Sequence, residues 1–336
     1  MKTSAILITG INRVEMGRVQ IPDPGHDEVM TETLFSCISP GTELRVLSGQ
    51  QAQMENYPLI PGYATVGRVI ARGNLVTIPE GALVFSPGAS QATGCQRMWG
   101  GHVAHAVQPQ NRVFVIPPGV DPVAASVAKL SAISLHGSRV APALPQDRVL
   151  VAGLGPIGQL SARHYDLSGA NVIAVDIVPW RVELAKKAGI HAILAGENLA
   201  ATVHKFWPDG ADIISDCTGS AAAFTELVKL ARNPLWDDQP LPHRTTTYMF
   251  QGSYLSDITL PYWDAFHTEL RLVMPRDQQP QDLRFSLERL ASGKLKTRDL
   301  VSDLRRPTEA ARAYADLQDH RQNILTLAFD WRDQTA

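Results

Sequence analysis

Val149–Leu160, VLVAGLGPIGQL, is the stretch that decides the fold: an apolar strand runs into Gly153, Gly155 and Gly158, and helical patterning follows from Ile157 to Ser168. A glycine pattern of this spacing is weak alone, because glycine is common, but a strand before it and a helix after it give each glycine a task. Gly153 lets the chain turn sharply out of the strand, Gly155 lets backbone amides approach a pyrophosphate, and Gly158 permits close packing of the helix. The helix start, with Pro156 and Ile157, turns unpaired N–H groups and the positive end of the dipole toward an anion. Twenty-one residues after Gly155, Asp176 ends the strand NVIAVD and is followed by Ile177. A carboxylate there accepts hydrogen bonds from both adenosine ribose hydroxyls and repels a 2′-phosphate, so NAD is favoured over NADP. Arg181 is near enough to offer that phosphate a partner, which keeps the second cofactor open.

Outward from this motif, strands and helices alternate. Arg148–Ala152, Asn171–Asp176, Ile190–Leu194, Ala211–Asp216 and Thr245–Gln251 read as strands, with helices at Ile157–Ser168, Pro179–Ala188 and Ala221–Ala231. Strands recurring with intervening helices predict an α/β domain built on a doubly wound parallel sheet. Cys217, Thr218 and Gly219 follow a strand at the carboxyl edge of that sheet, where such domains meet their ligand. Gly219 falls on the nicotinamide side, while Cys217 also reads as a core thiol. Asn233–Arg244 reads as an exposed loop, as does the end from Asp330.

The first 120 residues are different in texture, rich in Gly and Pro with short β-branched runs: Ser4–Ile8, Glu28–Cys37, Thr65–Ala71, Leu83–Phe85, His102–Val107 and Arg112–Ile116. They predict a partly barrel-like antiparallel β domain. From Asp121 the pattern turns helical, Val123–Ala141. A chain of 336 residues with 44% hydrophobic content fills two such cores and excludes a small stapled module. A formal charge of −2 gives no electrostatic reason to expect nucleic acid or an anionic membrane as partner. Cys37, Cys95 and Cys217 are scattered and odd in number, which argues against a disulfide framework and for a reducing, cytoplasmic setting. The apolar run Ala5–Ile8 is too short for a signal peptide, and no stretch approaches the roughly eighteen apolar residues of a membrane span.

PGHDEVMTETLFSCISPGTEL (24–44), YPLIPGYATVGRV (57–69), GGHVAHAVQPQNRVFVIP (100–117), the glycine motif and LASGKLKTRDLVSDLRRPTEAARAYADL (290–317) together give the chain its likeness. Over almost its whole length it resembles the medium-chain dehydrogenase/reductase superfamily, and GTEL with YPLIPGYATVGRV resembles the branch that includes the bacteriochlorophyllide hydroxyethyl dehydrogenases. The resemblance implies a GroES-like β-rich catalytic domain over 1–120, completed by 266–336, and a Rossmann NAD-binding domain over 121–265. It implies that Gln251 and Gly252 flank the nicotinamide, and that the protein is a homodimer joined through the cofactor domains. TTTYMFQGSYLSDITLP (245–261) is a candidate edge for sheet pairing.

Zinc-dependent members of the superfamily place ligands where this chain has Pro40, Tyr63 and a residue near Lys129, Ser131 being the alternative. Proline has no donor and a lysine ammonium repels a metal, so no zinc is expected. A site built from Cys95, His102 and His105 is weaker still, because residues three apart on a strand point to opposite faces. The resemblance matches Thr42 to the hydroxyl that relays the proton in zinc relatives and Glu43 to a neighbouring acid. Two readings stand for this pocket. Either Lys129 favours the phenolate of Tyr63, which then serves as general acid and base beside Thr42, or Tyr63 fills the zinc space while Lys129 pairs with Glu43. Trp99, Tyr262, Trp263 and Arg276 are candidates for shaping the substrate pocket, and equally for an interface. His136 reads as packing. The chemistry expected is hydride exchange between NAD and a secondary alcohol of a polyol, sugar or sugar-derived acid. Oxidation of a hydroxyethyl chlorin, reduction of an enone or quinone, and NAD binding without catalysis are the alternatives.

Overall fold

The computed structural model describes all residues except 52–55, 98, 197, 233–244, 320–322 and 334–336, so the loop read at Asn233–Arg244 lies outside the described residues. The chain divides into two compact units, Met1–Leu130 with Leu283–Ala336, and Ser131–Asp282. The sequence texture changes at 121 and the resemblance put the return at 266. Both changes of unit fall later, inside the helices Ala128–Val140 and Pro280–Ala291. The texture that changes at 121 is that of the helix Pro122–Ser126, which begins before the chain changes unit.

Ser131–Asp282 is the doubly wound half. Among the described residues its six strands are all parallel and lie in the order Ala192–Leu194, Asn171–Asp176, Arg148–Ala152, Ile213–Asp216, Thr247–Phe250, Arg271–Val273. Numbered along the chain this is 3-2-1-4-5-6, which reverses at Arg148–Ala152, the switch point at whose carboxyl ends doubly wound sheets ordinarily bind ligands. The central strand is buried on both faces: Val149 and Val151 join one apolar cluster with Tyr165 and Val172, Leu150 and Ala152 another with Phe224 and Tyr248. Alternation along the strand sends successive side chains to opposite faces. Thr247–Phe250 is paired on both sides, so the edge read into 245–261 is interior; among the described residues the edge strands are Ala192–Leu194 and Arg271–Val273.

Met1–Leu130 with Leu283–Ala336 is β-rich. One sheet runs Val301–Arg305, Thr326–Asp330, Glu28–Cys37, Thr65–Arg72, Leu83–Ser86, Phe114–Val115, with His105–Pro109 also on Glu28–Cys37, and a second contains Arg13–Gln20, Lys2–Gly10, Leu59–Ile60 and Gln96–Arg97. The strand Thr326–Asp330 pairs antiparallel with Phe35–Cys37, and its Phe329 packs with Trp331, Tyr314, Ile38 and Leu44 in one core. The tail from Asp330 is therefore no loose end at its start. The strand read at His102–Val107 begins only at His105, because His102 is turned inward against Gly62, whose Cβ would stand 2.7 Å from the imidazole. Val123–Ala141 is two helices, Pro122–Ser126, capped by Asp121 on Val123 N–H at 3.0 Å, and Ala128–Val140. Sequence reading passed over Pro40–Leu47, a helix that begins at proline.

Candidate functional site

In Ser131–Asp282 the glycine turn has the shape its spacing implies. Gly153 takes φ +85°, open to glycine at little cost, and a Cβ on it would meet Thr218 N at 3.0 Å. A Cβ on Gly158 would stand 1.7 Å from Gly153 O, so the helix Pro156–Asp166 lies directly on the turn. Around Gly155, its N-cap, a Cβ would meet nothing within 4 Å, which leaves the space above the helix start open to a ligand. The turn is tied to the next strand: Asp176 accepts from Leu154 N at 2.5 Å and from Val178 N at 2.8 Å. Only 6% exposed, its two oxygens keep lone pairs for further donors, such as ribose hydroxyls. The Arg181 guanidinium lies 3.7 Å from the same carboxylate, and Ile177 beside it is 78% exposed.

At the carboxyl edge of the sheet a second carboxylate organises the loops. Asp216, fully buried, accepts from Thr218 N at 2.9 Å, Thr218 Oγ1 at 2.6 Å and the Tyr248 phenol at 2.6 Å. Burial, reinforced by this carboxylate, holds the Tyr248 and Tyr254 phenols well above their usual range, so both stay protonated. Gly252 N donates to Asp216 O at 2.8 Å, and a Cβ on Gly252 would stand 2.6 Å from Gly219 N, which brings the two glycine backbones together. Two of the residues read as cofactor contacts turn away. The Cys217 thiol lies 3.7 Å from Ser161 Oγ and 3.6 Å from Ser215 Oγ, and burial pushes it up to about 12; it is the core thiol of the alternative reading. The Gln251 carboxamide donates to Ile133 O at 3.4 Å and crowds Gly137, where a Cβ would meet it at 1.6 Å. Sequence carries no signal for that turn, since Gly137 becomes its neighbour only in the fold. Tyr262 and Trp263 make an edge contact at 5.2 Å on the short helix Tyr262–His267; they and Arg276 are exposed.

In Met1–Leu130 the residues read as catalytic converge, with one exception. Tyr63, 7% exposed, donates its phenol O–H to Ser39 Oγ, and Thr42 Oγ1 lies 3.4 Å from the same oxygen. Lys129 Nζ stands over the Tyr63 ring, 5.8 Å from its centroid, and Trp99 meets that ring edge-on at 5.0 Å. Trp99 has φ +72°, a strained conformation for a bulky residue that the surrounding structure must hold in place. Glu43 is the exception. It has no exposed surface and accepts from Ser39 N at 2.7 Å and Tyr314 OH at 2.5 Å, with His102 Nε2 at 2.9 Å. Closed away from a substrate, it holds the loop instead. His102 is equally buried, with Ser36 Oγ at 2.8 Å on its other nitrogen. His105 bonds Thr3 at 3.0 Å, so the two histidines serve separate partners. His136 pairs with buried Asp282 at 3.0 Å, in keeping with a packing role. Ser39 and Tyr314 are site residues that sequence reading missed. The one local signal was Ser39 with Glu43 four residues on, near to a capping box.

The positions at which zinc relatives carry ligands do not suit the metal. Pro40 opens a helix and has no donor, Tyr63 is engaged with Ser39, and the Lys129 ammonium beside it would repel a cation. Among the described residues no three His, Cys, Asp or Glu side chains are grouped so as to hold a metal ion.

Comparison with known proteins agrees with this architecture. Residues 156–234 match the family model for zinc-binding dehydrogenases. A relative along the full length is 2-desacetyl-2-hydroxyethyl bacteriochlorophyllide A dehydrogenase of Rhodobacter capsulatus, 27% identical over 340 residues, covering 99% of each chain. Among solved structures, an alcohol dehydrogenase from Escherichia coli in complex with NADH aligns at TM-score 0.83 and 20% identity, covering 98% of this chain and 99% of that one. A Sinorhizobium meliloti protein of the zinc-binding dehydrogenase type, bound to NADP, aligns at TM-score 0.82 and 21% identity with the same coverage. At these identities the two structures establish the fold. The β-rich unit completed by the C-terminal segment, the parallel 3-2-1-4-5-6 sheet, the glycine turn and these relatives together support placing the chain in the medium-chain dehydrogenase/reductase superfamily.

Proposed function

We propose that the protein is an NAD-dependent, zinc-independent dehydrogenase that moves a hydride between a nicotinamide and a secondary alcohol or its ketone, the substrate being a polyol, sugar or sugar-derived acid. The observation that carries this is Tyr63: a phenol at a position where zinc relatives carry a ligand, with Thr42 and Ser39 hydroxyls on its oxygen and Lys129 over its ring. A nicotinamide held at the glycine turn would supply the hydride acceptor or donor. Tyr63 accepts the alcohol proton as the hydride departs, and returns it in the reverse direction. Lys129 favours the phenolate that this requires, and Thr42 brings a second hydroxyl to the phenol oxygen. Pro156 and Ile157 present the helix start to the pyrophosphate, Gly153, Gly155 and Gly158 shape its seat, and Asp176 takes the ribose. Thr218, Gly219 and Gly252 frame the sheet edge. Trp99, Tyr262, Trp263 and Arg276 are left as substrate-facing candidates.

The test is direct: purified protein, assayed for metal, is offered NAD or NADP with polyols, sugars, sugar acids and a hydroxyethyl chlorin, and NAD(P)H absorbance is followed. Reduction of NAD by a member of the sugar set, in protein free of zinc, is the expected result. Activity that tracks one zinc per chain would overturn the metal-independent mechanism, and turnover of the chlorin alone would transfer the substrate to the class acted on by the full-length relative. Tight NAD binding with no turnover of any alcohol, carbonyl or enone would leave the non-catalytic alternative.

Cofactor choice has its own check. Replacing Asp176 with serine removes the charge that repels a 2′-phosphate, and the ratio of kcat/KM for NAD over NADP should fall by about tenfold or more, a tenfold change being about 1.4 kcal/mol. An unchanged ratio would remove Asp176 from the discrimination.

We place the protein in a homodimer. Arg271–Val273 ends the parallel sheet with one side unpaired, and Leu272 and Met274 are exposed there, an arrangement that soluble sheets ordinarily cover. Light scattering should return twice 36.6 kDa, and Leu272→Lys should shift the protein toward monomer. A wild-type monomer at assay concentration rules the dimer out.

A further inference from the structure

Ser39 is the N-cap residue of the helix Pro40–Leu47, the position at which a serine hydroxyl ordinarily accepts a backbone N–H of the first turn. Ser39 makes no such bond. Its Oγ is committed to the Tyr63 phenol through a short hydrogen bond. The serine is held by its backbone instead, with its N–H donated to Glu43 Oε1 at 2.7 Å. Glu43 is fixed in turn by Tyr314 at 2.5 Å and His102 at 2.9 Å, and Ser36 Oγ, between His102 Nδ1 and Trp331 Nε1 at 2.8 Å each, closes the set. Glu43 and His102 have no exposed surface, and Ser39 has 6%. A buried polar network whose members are all engaged is stiff. This one ends at a hydroxyl withheld from its usual duty and aimed at the phenol.

We propose that Ser39 is a positioning residue for Tyr63: anchored through its backbone by Glu43, it fixes the direction of the phenol and stays hydrogen-bonded to the phenol oxygen before and after proton transfer. The proposal rests on the reading of Tyr63 as the acid and base. A hydroxyl can accept from a phenol and, after rotating about its C–O bond, donate to a phenolate. Hydrogen bonds to a charged partner are roughly twice as strong as neutral ones, so the serine favours the ionised form overall. As the substrate alcohol loses its hydride, its proton moves to the Tyr63 oxygen, and Ser39 reverses its bond without gaining or losing a proton. Thr42, 3.4 Å from the phenol oxygen, is the looser of the two contacts.

The test follows Tyr63 itself. In the full chain, tyrosine labelled with carbon-13 at Cζ is titrated by NMR, the resonance missing from Tyr63→Phe identifying the residue. In Ser39→Ala the titration should move to higher pH, and Ser39→Thr, which keeps the hydroxyl, should bring it back. In alcohol oxidation the rising limb of the pH–rate profile should shift the same way, with kcat down on the order of tenfold and KM unchanged. A Ser39→Ala protein that melts like wild type and shows an unmoved Tyr63 titration and pH profile overturns the proposal. Should the alanine variant fail to fold, Ser39→Cys, close in size and a weak donor, is read by the same two outcomes. Failure of the underlying reading looks different: Tyr63→Phe would turn over normally although Ser39→Ala still displaced the Tyr63 titration.

Discussion

Tyr63→Phe should lower kcat for alcohol oxidation by a factor of about 10² to 10⁴, the span general acid–base groups contribute, while leaving the melting temperature close to wild type. The ring is what packs: it meets Trp99 at 5.0 Å and lies under Lys129 at 5.8 Å, and phenylalanine preserves both contacts. What is removed is the oxygen, the atom proposed to take the alcohol proton. Cofactor affinity should be unchanged, because the substitution removes one oxygen and leaves the glycine turn intact. Lys129→Ala should lower kcat by less and shift the activity profile to higher pH, since the phenol remains while the cation that favours its ionised form is gone. Turnover unchanged in both variants would leave Tyr63 as a ring that fills a vacated metal position. The measurement is initial rate against pH on whichever substrate the panel yields.

Glu43→Ala should be the most damaging change to stability, at about 3 to 5 kcal/mol, the range for removing one member of a buried polar pair. Three donors lose their acceptor at once, namely Ser39 N–H, the Tyr314 phenol and His102, in a region with no exposed surface at Glu43 or His102 to let water replace it. Each stranded buried group costs roughly 1 to 3 kcal/mol. Burial and the neighbouring Glu43 carboxylate both raise the Tyr314 pKa well above the ordinary phenol range, so this donor persists at any working pH. Denaturant unfolding of wild type and Glu43→Ala reads the loss. A variant as stable as wild type would show that the cluster relaxes to new partners, and would remove the anchor assigned to Ser39.

Local features were legible in the sequence and long-range ones were not. Gly153, Gly155, Gly158 and Asp176 lie within 24 residues and declare their roles by spacing, and the strands Arg148–Ala152 and Asn171–Asp176 were delimited to the residue. Their boundaries are set by glycine, proline and a buried apolar run, all properties of neighbours in the chain. The likeness to relatives aligned Thr42, Tyr63 and Lys129, which the fold does gather. It misjudged Glu43, because an acid beside a reactive position reads the same whether it faces substrate or a buried histidine. What decides the matter is His102 and Tyr314, 59 and 271 residues away. The helix Pro40–Leu47 was hidden by its own first residues, since Ser-Pro-Gly reads as a turn and proline is equally at home at the first helical position. Gln251 was placed beside the nicotinamide by analogy, and only the gap left by Gly137 shows where its carboxamide goes.

The return of the C-terminal segment also fixes an order of events during synthesis. Ser131–Asp282 is one unbroken stretch, able to form its sheet as soon as it has left the ribosome. The β-rich unit begins the chain but must wait, since Tyr314, Phe329 and Trp331 belong to its core and the strand Thr326–Asp330 completes the pairing of Phe35–Cys37. The earliest-made half is the last to mature, and until then Glu43 and His102 stand without Tyr314. On the proposed function, the nascent chain would acquire its nucleotide seat before its proton-handling group is set.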